Sequence, residues 1–291
     1  MSGSTIWLDG APGIRLAADA FGAQTAPPIL MLHGGGQTRH AWHTTAKSLA
    51  EAGWRAITVD LRGHGESTHP RPAAYAPDDF AADVRALIVA TAKPPIVIGA
   101  SLGGIAALLA ITEHPAAPAA GLVLVDVAHR FKPQGGRQIV TFMEEHPHGF
   151  ATLSEAADVV ANYLPHRKRP QDISGLRHNL REREGRWIWH WDPQIPIQAR
   201  KIMSAPETLT ERLTSAAGRL RQPCLLVRGA ESDVLTPGVA HEFIQLAQGA
   251  TLAEVPSAGH MVAGDNNDAF TAAIGAWLQA RPHDELRTAN S

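Results

Sequence analysis

Short runs of Val, Ile and Leu alternate with stretches of helical periodicity along most of this chain. The apolar runs are Ile29 to Leu32, Ala56 to Val59, Ile96 to Ile98, Leu122 to Val125 and Leu225 to Val227, with a shorter one at Leu252 to Val255. Runs that are apolar on both alternating faces predict strands covered on both sides, and the helical patterns between them predict crossovers. The expected architecture is therefore α/β, a mostly parallel sheet with helices on both faces. Helices are predicted at Asp78 to Thr91, Leu102 to Thr112, Val239 to Ala247 and Asp268 to Ala280. Ile6 to Leu8 and Ile14 to Ala17, separated by Gly10, Pro12 and Gly13, predict a leading antiparallel hairpin.

Between Val125 and Leu225 the pattern changes to amphipathic helical stretches with Trp, Arg and scattered Pro and no comparable buried strand. Residues 131–217 are read as a mainly helical cap inserted into a core domain of 1–130 and 218–291. Thr152 and Glu155 have capping-box spacing ahead of Ala156, Val159 and Val160, so a helix starts there.

The motif richest in chemistry is Gly99-Ala100-Ser101-Leu102-Gly103, placed between the strand Ile96 to Ile98 and the helix that begins at Leu102. A G-x-S-x-G turn between strand and helix projects the serine hydroxyl alone from the sheet edge, beside the positive end of a helix. Taken alone, the pentapeptide is also compatible with a glycine-rich turn holding an incidental serine. A serine nucleophile needs a base. Among 15 histidines, His260 is the best placed, in a loop just past Leu252 to Val255. A third group must fix the imidazole tautomer. Asp233, after the strand Leu225 to Val227, is favoured; Asp126, after Leu122 to Val125, is a rival that topology also permits. His33-Gly34-Gly35-Gly36 follows Ile29 to Leu32. Its Gly35 amide, with that of Leu102, is the expected oxyanion hole.

The order Ser101, Asp233, His260, each after a predicted strand, resembles the α/β-hydrolase family in its serine-nucleophile, esterase-like and lipase-like branch. Leu61-Arg62-Gly63-His64-Gly65-Glu66-Ser67 matches the family's loop after Ala56 to Val59. The resemblance covers nearly the whole chain and implies the fold, the triad and a lid after the sixth strand. Relatives that open haloalkanes or epoxides carry Asp where this chain has Ser101. Lipases with a similar His-Gly-Gly-Gly stretch usually place Asp before the serine, where Ala100 stands here. Ring-cleaving C-C hydrolases tend to have Trp after the histidine, where this chain has Met261. The expected reaction is cleavage of a small carboxylic ester through an acyl-enzyme. C-C hydrolysis, lactone hydrolysis or perhydrolysis with the same triad are the alternatives, and a ligand receptor on the same fold is the reading from another class.

Composition narrows the partners. Twenty-eight acidic against 26 basic residues, a net charge of -2, give no field to hold nucleic acid or an anionic membrane, so a small-molecule substrate is expected. The single cysteine excludes an internal disulfide and suits a reducing compartment. With no leader-like or membrane-spanning segment, the expected location is the cytoplasm. Composition says nothing of oligomeric state. No P-loop or Gly-x-Gly-x-x-Gly nucleotide signature is found, and no cofactor is expected. His40 and His43 are three apart, but no third ligand of recognisable spacing stands near them, so no metal site is expected.

In the cap, Trp187, Trp189 and Trp191 alternate, which puts three indoles on one face of an extended segment, either lining an acyl pocket or anchoring the cap. Together with His33, Gly34, Gly36 and Met261 they are candidate substrate contacts. The run His166-Arg167-Lys168-Arg169 reads as a solvated loop. Arg177, Arg181 and Arg183 lie on a possible helix.

Overall fold

The computed structural model describes residues 3–113, 117–164, 169 and 171–280. The order along the chain is β1 (Ser4–Asp9), β2 (Arg15–Phe21), β3 (Pro28–Leu32), α1 (His43–Glu51), β4 (Arg55–Val59), α2 (Pro77–Ala90), β5 (Ile96–Ala100), α3 (Leu102–Thr112) and β6 (Gly121–Val125). Then come α4 (Pro133–Glu144), α5 (Leu153–Tyr163), β7 (Leu180–Arg183), β8 (Arg186–Trp189), α6 (Gln194–Met203) and α7 (Pro206–Arg219). The chain closes on β9 (Cys224–Gly229), α8 (Pro237–Leu246), β10 (Ala250–Val255), α9 (Val262–Asp265) and α10 (Asn267–Gln279). No described helix is long and apolar enough to cross a membrane.

Eight strands form one sheet in the order β1-β2-β4-β3-β5-β6-β9-β10. β1 and β2 are antiparallel, β2 joins β4 antiparallel, and every other pairing is parallel. The pleat sends alternate side chains to opposite faces. Ile29, Met31, Ile96, Ile98, Leu225 and Val227 meet Leu49, Phe270, Ile274 and Trp277 of α1 and α10. Leu30, Leu32, Val97, Leu122, Leu124 and Leu226 meet α2, α3, α7 and α8. This two-sided burial is why the central strands read as continuous apolar runs. The crossover from β3 leads to β4 on one side and the next, from β4, passes β3 to β5 on the other, so the order reverses there, and the crevice at the carboxyl ends of β3 and β5 is where such sheets bind ligands.

The segment between β6 and β9 is mainly helical, as expected, but also holds strands. β7 and β8 form an antiparallel hairpin, so Arg181 and Arg183 lie on a strand and not on a helix. Glu182, Glu184 and the turn at Gly185 obscured this, because the strand presents a charged face to solvent. Thr152 does cap α5, its hydroxyl accepting from the Glu155 amide at 3.1 Å. α7 packs mainly on α3, with Leu213, Ala216 and Ala217 fully buried. Arg212 of α7 bonds both Asp78 and Glu113 of the main layer. By packing, α7 therefore stands with the helices that flank the sheet. Of the basic run His166 to Arg169, the first three residues lie outside the described residues; Arg169 bonds Asp158 at 2.7 Å.

Candidate active site

Ser101 is the single residue between β5 and α3, with φ 45° and ψ −113°, a strained conformation for a residue with a side chain. Close approach on both sides enforces it. A Cβ at Gly99 would lie 2.5 Å from the Gly103 carbonyl oxygen, and one at Gly103 would lie 2.5 Å from that of Leu32. Only glycine at both positions lets strand, turn and helix pack this tightly.

His260 lies in the loop after β10, and its Nδ1 is 2.8 Å from Asp126 Oδ2. The acid that holds the imidazole is thus Asp126, not Asp233. The reason is the path of the histidine loop. It crosses directly over the tip of β9, where a Cβ at Gly229 would lie 2.2 Å from the Gly259 carbonyl oxygen. The imidazole consequently comes down beside β6, the next strand in the sheet. Asp126 is the first residue after β6; its amide still bonds the Val227 carbonyl, and its φ of 50° turns the side chain out of the strand. Asp tolerates that left-handed conformation better than most residues.

Asp126 is fully buried and accepts from neutral donors. Ser232 Oγ donates to Oδ2 at 2.5 Å and the Gly229 amide to Oδ1 at 3.1 Å. The loop after β9 therefore contributes a hydroxyl, while the neighbouring Asp233 is exposed on the rim. Ser232 was not singled out in the sequence, since a serine three residues past a glycine has no distinguishing signal there.

In the glycine run, the amide of Gly34 donates to Gln37 Oε1 at 2.9 Å and that of Gly36 to His64 Nε2 at 3.2 Å. Among the described residues the Gly35 amide has no acceptor, and the Leu102 amide, first of α3, has no partner within its own helix. A Cβ on Gly34 would lie 3.4 Å from Ser101 Cβ, which places this loop against the serine.

Behind the loop stand buried histidines. His33 accepts from the Leu61 amide at Nε2 and contacts the Gly34 carbonyl through Nδ1 at 2.7 Å. Burial holds its pKa down at about 4, and burial with the neighbouring His33 holds that of His64 at about 3. Both are neutral braces. His190, from beyond β8, accepts from the Gly65 amide at 2.8 Å.

A cavity of about 940 Å³ opens on His260, Met261 and Asp233, walled opposite by Arg137, Phe142 and Tyr163. Burial and the charge of Asp233 push the Tyr163 phenol up to about 12. Trp187, Trp189 and Trp191 are absent from its lining. Trp189 and Trp191 are buried and stacked at 4.7 Å, Trp191 donates to the Met143 carbonyl, and Trp187 carries the Arg177 guanidinium over its ring. Phe142 packs on Trp189 and Trp191, so these two support the cavity wall from behind.

Comparison with known proteins bears on the family and the fold. Over 274 aligned residues the chain is 29% identical to an esterase of Mycobacterium tuberculosis, covering 88% of this chain and 84% of the relative. Over 269 residues it is 28% identical to the sn-1-specific diacylglycerol lipase of Mus musculus, covering 88% and 82%. The fold superposes on that of E-2-(acetamidomethylene)succinate hydrolase with a TM-score of 0.83 at 20% identity, covering 95% and 99% of the two chains. An alpha/beta hydrolase from Novosphingobium aromaticivorans gives 0.80 at 26% identity, covering 96% and 99%. The sequence model of the Alpha/beta hydrolase family matches residues 29–273, and with that span this chain belongs to the alpha/beta hydrolase family.

Proposed function

We propose that the protein is a serine hydrolase that cleaves small carboxylic esters with Ser101 as nucleophile, His260 as base and Asp126 as the acid that orients it. The observation that carries this reading is the 2.8 Å bond between His260 Nδ1 and buried Asp126, on the same sheet edge as a serine held at φ 45°. With the Nδ1 hydrogen given to Asp126, the Nε2 lone pair is the basic site. It takes the hydroxyl proton as Ser101 Oγ bonds to the ester carbonyl carbon. The oxyanion accepts from the Gly35 and Leu102 amides, each such donor being worth roughly 2.7 to 4 kcal/mol in comparable sites. Collapse releases the alcohol, which leaves with the proton from His260. Water, deprotonated by the same nitrogen, then cleaves the acyl-enzyme and releases the acid.

The segment from about residue 131 to 205 acts as the cap, and the cavity between α4, α5 and His260 receives the substrate. A wall of Phe142, Ile139 and Val159 beside Arg137, Gln138 and Asn162 suits an acyl compound with both apolar and polar parts. The buried lone cysteine, Cys224, fits a cytoplasmic setting. A fluorophosphonate probe tests the assignment: the adduct is expected on Ser101 and lost in His260→Ala. Ser101→Ala should stay folded and lose about four to six orders of magnitude in turnover of a p-nitrophenyl ester. A folded protein that leaves the probe untouched would refute the nucleophile.

A further inference from the structure

A second set of converging donors lies apart from the active site. The ligand atoms of Asp19, on β2, and of His40 and His43, at and just after the 3-10 turn Arg39–Trp42, all lie within 4.8 Å of one another. His43 Nε2 is 2.9 Å from Asp19 Oδ2, and His40 Nδ1 is 4.0 Å from the same oxygen. The second distance is too long for a hydrogen bond, and His40 Nδ1 is buried with no hydrogen-bond partner among the described residues. Ligands bound at 2.0 to 2.2 Å around a tetrahedral ion stand roughly 3.3 Å apart. The two observed distances bracket that value, so small side-chain rotations would close the set on an ion.

A further imidazole, from the insertion, borders the three but is not among the atoms that lie within 4.8 Å of one another. His178 ends the 3-10 turn Ser174–His178, and its ring stands edge-on to His40 with centroids 4.0 Å apart. Charge is permissive as well. Arg39 donates to Asp19 Oδ2 at 2.9 Å, but its guanidinium also serves Asp60 and Glu66, so three carboxylates share one cation. A carboxylate oxygen has two lone pairs and can accept from Arg39 while binding a metal, the usual outer support of a metal ligand. His43 is partly open to solvent and gives the ion a way in.

We propose that Asp19, His40 and His43 form a binding site for a divalent transition-metal ion, zinc foremost, with His178 of the insertion as its fourth ligand. Imidazoles with one carboxylate favour zinc, cobalt or nickel over calcium or magnesium. The turn that carries His40 follows directly on the glycine loop at Gly34 to Gly36. An ion there would tie the insertion to the core beside the oxyanion loop and leave Ser101 and His260 untouched.

Titration of the chelator-treated full chain with Co²⁺, read by its visible absorption, tests the site. One equivalent with the intense bands of a tetrahedral ion is expected, displaced by Zn²⁺. The bands should vanish in His40→Gln and in His43→Gln, both checked for folding by circular dichroism. In His178→Ala affinity should fall roughly tenfold or more, at least the loss seen for outer support residues. No binding to folded protein, or one-equivalent binding unchanged in both glutamine variants, would overturn the site. Unchanged affinity in His178→Ala would overturn the insertion's part in it.

Discussion

Two histidine–aspartate pairs of nearly equal length stand in this molecule. His260 Nδ1 meets Asp126 at 2.8 Å, and His43 Nε2 meets Asp19 at 2.9 Å. Their surroundings differ in one respect that decides their chemistry. Asp126 receives a hydroxyl and an amide, both neutral, so its charge stays available to an imidazolium. Asp19 receives the Arg39 guanidinium; burial opposes its ionisation, but His43, Thr5 and Arg39 outweigh that and hold its carboxyl far below the usual range. The lesson is that the pair itself does not make a base: no serine on a strained turn accompanies the second pair, and its carboxylate is shared with an arginine.

The largest break in this contrast comes from Asp126→Asn, expected to lower kcat/KM by about 10⁴, as loss of the orienting acid does in triads generally. Asp233→Asn should stay within about tenfold, and equal losses in the two variants would restore Asp233 as the acid. Next in size is acid. Unfolded histidine titrates near 6.5, whereas folded His33 and His64 titrate at about 4 and about 3. Below 6.5 the unfolded chain binds protons that the folded chain refuses, so stability present at neutral pH falls as pH drops toward those folded values. Each should cost about 2 kcal/mol between pH 7 and pH 5, visible as a falling urea midpoint.

Asp19→Asn should cost about 2 kcal/mol of stability by removing a charged acceptor from Arg39, with ester turnover unchanged in kcat/KM. The smallest effect is expected from Ser232→Ala. It removes a donor from Asp126 and should lower kcat by about tenfold. It should also move the acid limb of the pH–rate profile upward, because the less-shared carboxylate better stabilises imidazolium. A loss of stability with an unmoved limb would make Ser232 merely structural.

Much of this was legible in the sequence because it depends on local pattern. Ile29 to Leu32 and Leu122 to Val125 are buried on both faces, and the Gly-x-Ser-x-Gly pattern around Ser101 is itself local, although the contact that requires Gly103 comes from Leu32. Which carboxylate meets His260 was not legible, since the choice between Asp126 and Asp233 depends on where a loop 134 positions from Asp126 crosses the sheet edge. The β7–β8 hairpin was hidden by its charged face, although the alternation of Trp187, Trp189 and Trp191 carried the period of a strand. Asp19 sits among alanines on β2, and nothing in its neighbours announces the histidines that meet it 21 and 24 positions later.

β10, the strand that delivers His260, lies at one edge of the sheet and, among the described strands, pairs only with β9. An edge element of this kind can detach while the central strands keep their pairing. Heat or mild denaturant should therefore silence the enzyme before the far-ultraviolet signal changes, and recovery on cooling should be fast. The fold thus hangs its catalytic histidine loop on an edge strand, so that turnover reports on the fraying of one margin of the molecule.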